Sequence, residues 1–355
     1  MNSTIDRTAL FLCKAGFQEI CAHELARTGC AVIDKGVGHV TAAPASGRLS
    51  QASDWCFPVW ALQRPSVLTG ASVHENARSL FEVFGHWAKG REFTKAWPAI
   101  FIPPVVPGDD GPFASVKKIW HEMLRERMSR VAKLGVDESA LRWGVHEGFF
   151  AYWDGHAWHV SMTAYYGGQT RMRDVPGAPS RSFLKIEEAI RIFGCGPAPR
   201  ESVADLGAAP GGWSLGAARL GAVVTAVDNG PLKGDAASNP HIKHLVADAY
   251  TFEPGPGARF DWLFCDILDR PERVLGIVER WLAGRWCRFY IVNLKLGRCD
   301  SAALLDGLQD PEGPVASSSA RLMMRQLYHD RDEITLMGEV KTTSERGRRL
   351  NTSRV

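Results

Sequence analysis

The chain has 355 residues, enough for two or three domains, and its 45% hydrophobic content is ordinary for a globular protein. No apolar run approaches the ~18 residues of a membrane span, so no transmembrane helix is expected; Met1 to Arg7 is polar and lacks the pattern of a signal peptide. The net charge of +3 excludes little. The last fifteen residues alone carry +4, so the rest lies near −1, and only local clusters of cations bear on nucleic-acid binding.

The first elements read as a small α/β unit. Thr8 to Cys13 is strand-like, Phe17, Ile20, Cys21 and Leu25 recur at helical spacing, and Gly36 to Ala42 reads as a second strand after a glycine turn. A further unit follows. Val59, Trp60 and Leu62 suggest a strand, Leu80, Phe81, Phe84 and Trp87 a helix face, and Ala99 to Ile102 another strand. Pro103 to Pro112 is a loop by composition. Val116 to Leu134 predicts one helix with an apolar stripe and a basic remainder from Lys117 to Lys133. Asp154-Gly155 marks a hairpin between Phe149–Trp153 and Trp158–Met162. Tyr165 and Tyr166 are read as core residues in preference to a platform for a base. Val175 to Ser180, with two prolines, reads as a hinge.

From about residue 181 strands and helices alternate, which implies a parallel sheet. The strands are placed at Val203–Leu206, Val223–Val227, Ile242–Ala247, Trp262–Cys265 and Phe289–Leu294. A hairpin of Gln326–Tyr328 and Ile334–Met337 is expected to close the sheet. Beyond about 343 the chain is polar and basic and is expected to be disordered. The eight cysteines are irregularly spaced and form no C-x-x-C pair, so neither a zinc site nor a disulfide framework is expected; the reading is a reduced, cytoplasmic protein without a metal.

The most informative segment is Asp205-Leu206-Gly207-Ala208-Ala209-Pro210-Gly211-Gly212-Trp213, between an apolar strand and a helix-like stretch. Its glycines permit sharp turns and close approach of a ligand. The dinucleotide fingerprint needs a glycine where Ala209 stands, and no Gly-Lys-Ser/Thr of a P-loop follows. Acids then sit at successive strand ends: Asp205, Asp228, Asp248 and Asp266. Ligands of doubly wound sheets bind outside the carboxyl ends of the strands, and Asp228 lies near the interval of a ribose-binding acid. NAD is the chemical rival, although a proline among amides meant for a pyrophosphate argues against it.

The loop resembles motif I of S-adenosylmethionine (SAM)-dependent methyltransferases, and more narrowly the RNA methyltransferases related to FtsJ. In chain order, Lys185, Asp266, Lys295 and Glu333 form a Lys-Asp-Lys-Glu series in local settings similar to those of ribose 2′-O-methyltransferases. A ribose hydroxyl is a poor nucleophile that needs a base or a cation to stabilise its alkoxide. The expectation is that Lys295 is the base, Lys185 its like-charged partner, and Asp266 and Glu333 orienting acids. For either lysine alone, a snorkelling surface residue is the ordinary alternative.

The wider context includes Ser180-Arg181-Ser182, Asp228-Asn229-Gly230-Pro231, Asn293-Leu294-Lys295-Leu296 and Arg325-Gln326-Leu327-Tyr328-His329-Asp330-Arg331. Together these resemble the ribosomal RNA large subunit methyltransferase M family. The resemblance covers most of 180 to 337. It implies an α/β fold with a Rossmann-like SAM methyltransferase sheet behind N-terminal ferredoxin-like and THUMP modules. The domains are then expected at 1–54, 55–175 and 176–342, with a tail at 343–355. It further implies SAM contacts from Ser182, Ala209, Pro210, Gly211, Gly212, Asp228, Asp248 and Asp266. The partner would be 23S ribosomal RNA or its assembly intermediate, methylated on one cytidine ribose of the peptidyl-transferase region, with no membrane and the protein a monomer. Arg171, Arg173 and Arg181 are candidate phosphate contacts. Two rivals stay open: a methyltransferase acting on a base or a small molecule, and an RNA-binding assembly factor without turnover.

Overall fold

The computed structural model describes residues 7–50, 54–106, 108–297 and 299–342. The expected tail from 343 onward and the first six residues lie outside them. The chain divides into two compact units, Met1–Gly168 and Gln169–Val355.

In the first unit, β1 (Ala9–Leu12) leads to α1 (Gln18–Arg27), then β2 (Cys30–Gly36) and β3 (His39–Pro44). The glycine turn falls between β2 and β3, and β2 is a strand the apolar pattern missed: its residues after Cys30 are mostly exposed. β4 (Trp60–Gln63) and β5 (Ser66–Leu68) precede α2 (Val73–Ala88). Ser72 caps α2 by accepting the Glu75 amide, while Glu75 reaches back to the Ala71 amide, so two otherwise orphaned donors are satisfied. β6 (Trp97–Ile102), α3 (Phe113–Arg127), α4 (Ser129–Ala132), β7 (Gly135–Val136) and the hairpin of β8 (Gly144–Trp153) and β9 (Trp158–Tyr166) complete the unit.

The single helix expected over 116–134 is therefore two. Met128 leaves helical geometry (φ −139, ψ 53), and the turned chain then ties to β6: Trp97 donates its amide to Leu134 and its indole N–H to Val131. That lets β7 pair in parallel with β6.

One sheet runs β2-β3-β1-β4-β9-β8-β6-β7, with β5 added on β9. Because β1 pairs with β4, the sheet continues without a break across the expected module boundary near 54. Alternate residues of its strands feed two cores. One lies under α2 and α3 around Phe84, Trp120 and Phe149, and the other gathers Leu10, Trp60, Phe150 and Tyr166. Tyr165 and Tyr166 are buried, as read from the sequence.

The second unit opens with α5 (Phe183–Phe193), ended by left-handed Gly194. It continues with β10 (Ser202–Leu206), α6 (Gly212–Arg219), β11 (Val223–Val227), α7 (Gly234–Ser238), β12 (Ile242–Leu245), β13 (Phe260–Cys265) and α8 (Pro271–Gly284). β14 (Cys287–Lys295), α9 (Ser301–Gln309), α10 (Pro314–Ser318), β15 (Ser319–Arg325) and β16 (Glu333–Val340) follow. Strand order is β12-β11-β10-β13-β14-β16-β15. β10 to β14 are parallel and β16 is antiparallel.

This is a doubly wound α/β sheet whose order reverses between β10 and β13, the place where such sheets bind ligands. The closing hairpin exists, but its first strand is β15, not 326–328. Glu188 of α5 takes the amides of Tyr328 and His329 and draws that segment out of the sheet into a loop. Among the described residues no helix is long and apolar enough to cross a membrane.

Candidate active site

The glycine loop leaves β10 at the reversal point. Gly207 (φ 75) and Gly211 (φ 107) occupy left-handed backbone that side chains disfavour. A Cβ on Gly211 would stand 2.5 Å from the Ala236 methyl, and one on Gly212 2.5 Å from Ser182 Oγ. The glycines thus serve close packing of the chain on itself. Several loop amides are also spent internally: Gly207 and Ala208 donate to Val227, and Gly211 donates to Ala208.

Asp228, the residue after β11, holds this loop. Its Oδ2 accepts the Ala209 amide at 2.9 Å and its Oδ1 the Gly230 amide at 2.7 Å. Each carboxylate oxygen has two acceptor positions, so a second remains on each for the hydroxyls of a diol. Asp205 is placed differently from a ligand contact. It is 1% exposed, accepts the Ser214 hydroxyl at 2.6 Å, and anchors the start of α6. Burial pushes its carboxyl up to about 7, partly offset by Ser214 and reinforced by the charges of Asp266 and Asp228. Leu206 pairs with Val227 and with Cys265, so Asp205, Asp228 and Asp266 converge where β10, β11 and β13 end. A bound pyrophosphate would meet this field unfavourably, whereas a cationic nucleoside would be favoured. Asp248 lies three residues past β12, is exposed, and accepts the Tyr250 amide at 2.9 Å in a local turn. Among the described residues no hydrogen bond or ion pair joins it to the other acids.

The residues of SAM's two halves fit this surroundings: a diol acceptor in Asp228, an anionic sheet edge for a sulfonium, and Ser182 beside Gly212. Ser182 also borders the neighbouring cavity and shares a 2.6 Å hydrogen bond with Ser180.

That cavity, of about 650 Å³, is lined by Lys185, Lys295 and Glu333 of the Lys-Asp-Lys-Glu series, and Asp266 joins them through Lys295. Lys295 is the last residue of β14 and lies directly opposite Glu333, the first of β16. Sheet register therefore makes them a cross-strand pair. Lys295 Nζ donates to Asp266 Oδ1 at 2.7 Å and to Glu333 Oε2; Lys185 Nζ donates to Glu333 Oε1. The four form a chain, Asp266–Lys295–Glu333–Lys185. Their side chains are only 9–16% exposed, which removes the snorkelling alternative.

The expected electrostatics needs one correction. Lys185 does not press the proton off Lys295, because Glu333 stands between them with one oxygen for each. Burial pulls the Lys295 ammonium down, but Asp266 and Glu333 outweigh it and leave its pKa above the ordinary value. Burial likewise raises Glu333, and the two lysines overcome this and hold its carboxyl below the usual range.

Sequence reasoning missed Asp330. It is 3% exposed, accepts the Leu327 amide at 2.9 Å and the Thr335 hydroxyl at 3.1 Å, and its Oδ1 lies 3.7 Å from Lys185. Burial pushes it up to about 8 against the pull of Lys185. Its only sequence signal was its place among the charged residues 329–333. Glu188 was equally overlooked as a support: fully buried, it takes the Thr170, Tyr328 and His329 amides. Arg181 borders the cavity, while Arg171 and Arg173 are exposed in the segment before α5.

Residues 178–274 match a family model described as FtsJ-like methyltransferase. Relatives named ribosomal RNA large subunit methyltransferase M are similar over a longer stretch. The one from Chromohalobacter salexigens is 40% identical over 185 residues, covering 48% of this chain and 50% of that protein. That from Halorhodospira halophila is 41% identical over 172 residues, covering 48% and 49%. One from a Shewanella species is 32% identical over 230 residues, covering 60% and 62%. The chain spans about half the length of the first of these curated relatives. The second unit thus carries a Rossmann-like sheet, and the match to the FtsJ-like methyltransferase model begins before α5 and ends within α8.

Proposed function

We propose that this chain is a SAM-dependent ribosomal RNA 2′-O-methyltransferase, with a cytidine ribose of 23S rRNA as its target. The observation that carries this reading is the buried chain of ion pairs from Asp266 through Lys295 and Glu333 to Lys185, beside the acid-lined sheet edge. When bound, SAM supplies a methyl group already activated by positive sulfur. Asp228 would hold its ribose hydroxyls, Ser182 and residues 209–212 its surroundings, and Asp248 and Asp266 the remaining polar contacts.

The protein's own task is the 2′-hydroxyl proton. Lys295 is the acceptor in this reading, and Asp266 and Glu333 fix where its Nζ points. Since both carboxylates favour the ammonium, the amine that accepts a proton is the minor form at neutral pH, and the rate is expected to rise with pH. Lys185 keeps Glu333 ionised and aligned. The chain acts as a monomer on RNA, with Arg171, Arg173 and Arg181 as its phosphate contacts.

The test is transfer of labelled methyl from SAM to 23S rRNA that lacks modifications, followed by mapping. Label on a ribose 2′-oxygen supports the proposal. Label on a base, or none on RNA, rejects it.

A further inference from the structure

The cavity lined by Lys185, Lys295 and Glu333 has an apolar lip. Tyr328 borders it with 49% of its surface exposed, and Leu268 borders it with 74% exposed. Among the described residues, Tyr328 is the only Phe, Tyr or Trp in the exposed class. The other described aromatics are less exposed, so a ring with half its surface open at this one cavity needs a reason. Both residues sit on the segments that deliver the acids: Leu268 follows Asp266 by two positions, and Tyr328 precedes Glu333 by five.

The ring's mounting is rigid where it matters. Glu188 Oε1 accepts the Tyr328 amide at 2.8 Å and Oε2 the His329 amide at 3.3 Å. Glu188 is three residues beyond Lys185 on α5, so both lie on one helix face about 5–6 Å apart. The His329 ring stands edge-on to Tyr328, centroids 5.1 Å apart, and its Nε2 accepts the Met172 amide at 2.8 Å. Arg181 and Arg331 border the same cavity. An aromatic ring, an aliphatic side chain and two guanidiniums around one opening match the parts of a single nucleotide in a strand: a π-face, a ring edge and flanking phosphates.

We propose that Tyr328 and Leu268 form a nucleobase subsite, which rests on the reading of RNA ribose as the substrate. The base of the target nucleotide stacks on Tyr328, Leu268 covers its edge, and Arg181 and Arg331 meet the adjoining phosphates. The nucleotide enters unpaired, because a base within a duplex offers no open face. Stacking accepts any base, so this subsite contributes affinity and placement of the 2′-oxygen, not base selection.

The test compares the full chain with Tyr328→Ala and Tyr328→Phe, using an unmodified 23S rRNA transcript. Direct binding gives Kd for the RNA, and steady-state methyl transfer gives KM and kcat. Tyr328→Ala is expected to weaken RNA binding and raise KM about tenfold, within the range of one lost stack. The Kd for SAM stays as in the wild type, and Tyr328→Phe, which keeps the ring, restores RNA binding. An unchanged RNA Kd in Tyr328→Ala overturns the subsite, as does a loss in Tyr328→Phe equal to that in Tyr328→Ala. Methyl transfer by the wild type separates the two claims. If RNA binds through Tyr328 but no ribose is methylated, the reaction fails and the subsite stands; if ribose is methylated with Tyr328 dispensable, the reverse holds.

Discussion

In the first unit the one buried carboxylate among the described residues is Glu24, and its oxygens accept the amides of Cys56 and Phe57 at 2.7 and 3.1 Å. In the second unit Glu188 is buried in the same way, on three amides, but Glu333 is buried against two lysines at a cavity. The difference separates two uses of costly charge. A carboxylate consumed by backbone amides holds a segment in place, and its loss is felt as stability. A carboxylate that shares its charge with lysines facing a cavity sets protonation and position, and its loss is felt as rate.

Four substitutions sharpen or break that division. The largest effect is expected for Lys295→Ala: kcat for methyl transfer falls about 10³-fold, in the range of a lost general base, while SAM binding measured by calorimetry is unaltered. Full activity in this variant would sink the proposed role. The wild-type rate should also climb about tenfold per pH unit above neutrality until Lys295 loses its proton, because its pKa lies above the ordinary lysine value. A flat profile would point to Lys295 acting as an ammonium.

Next is Asp228→Ala. It removes the acceptor that fits the cofactor diol and the anchor of Ala209 and Gly230, so the Kd for SAM should rise about thirtyfold, near 2 kcal/mol for a charged hydrogen-bond acceptor. Equal affinity would dismiss Asp228 as a cofactor contact.

Glu24→Ala should behave in the opposite sense to Lys295→Ala. Two buried amides lose their acceptor, at about 1–3 kcal/mol each in the range for unsatisfied groups, so the midpoint of denaturant unfolding falls. The methyl-transfer rate per folded molecule stays the same. A stable variant would show that water replaces the carboxylate.

The effect of Asp330→Asn is read as a pH dependence of stability. The Asp330 carboxyl is raised to about 8 from an unfolded value near ~3.9, so its contribution to stability is complete below ~4 and is lost as pH rises through about 8. The Tm of wild type relative to Asp330→Asn should therefore drop between pH 5 and pH 8. A pH-independent difference would mean that Lys185 keeps Asp330 ionised throughout.

Most of the second unit's parallel strands were legible because each is a short apolar run ending in a polar residue, and burial on both faces makes that pattern plain. The glycine loop, Asp228, Asp266 and Lys295 could be named for the same reason, since strand ends in such sheets face the ligand crevice, whereas Glu333 was named only through the resemblance of the Lys-Asp-Lys-Glu series. β2 was not legible: an edge strand with a largely exposed sequence has no apolar period. The break at Met128 was hidden because the apolar spacing runs on through it while the chain turns to meet β6.

What the sequence by itself determined is the set of chemical groups and their order: a glycine loop, a row of acids at strand ends, and two lysines with two carboxylates. What only the tertiary structure decided is how those charges are wired. The register of β14 on β16 sets Lys295 opposite Glu333, α5 brings Lys185 to the other oxygen, and Glu188 folds the 326–332 loop so that Asp330 and Tyr328 reach the cavity. Charge interactions depend on distance and burial, and residues 148 positions apart in the chain acquire both only when the sheet and its covering helix are assembled.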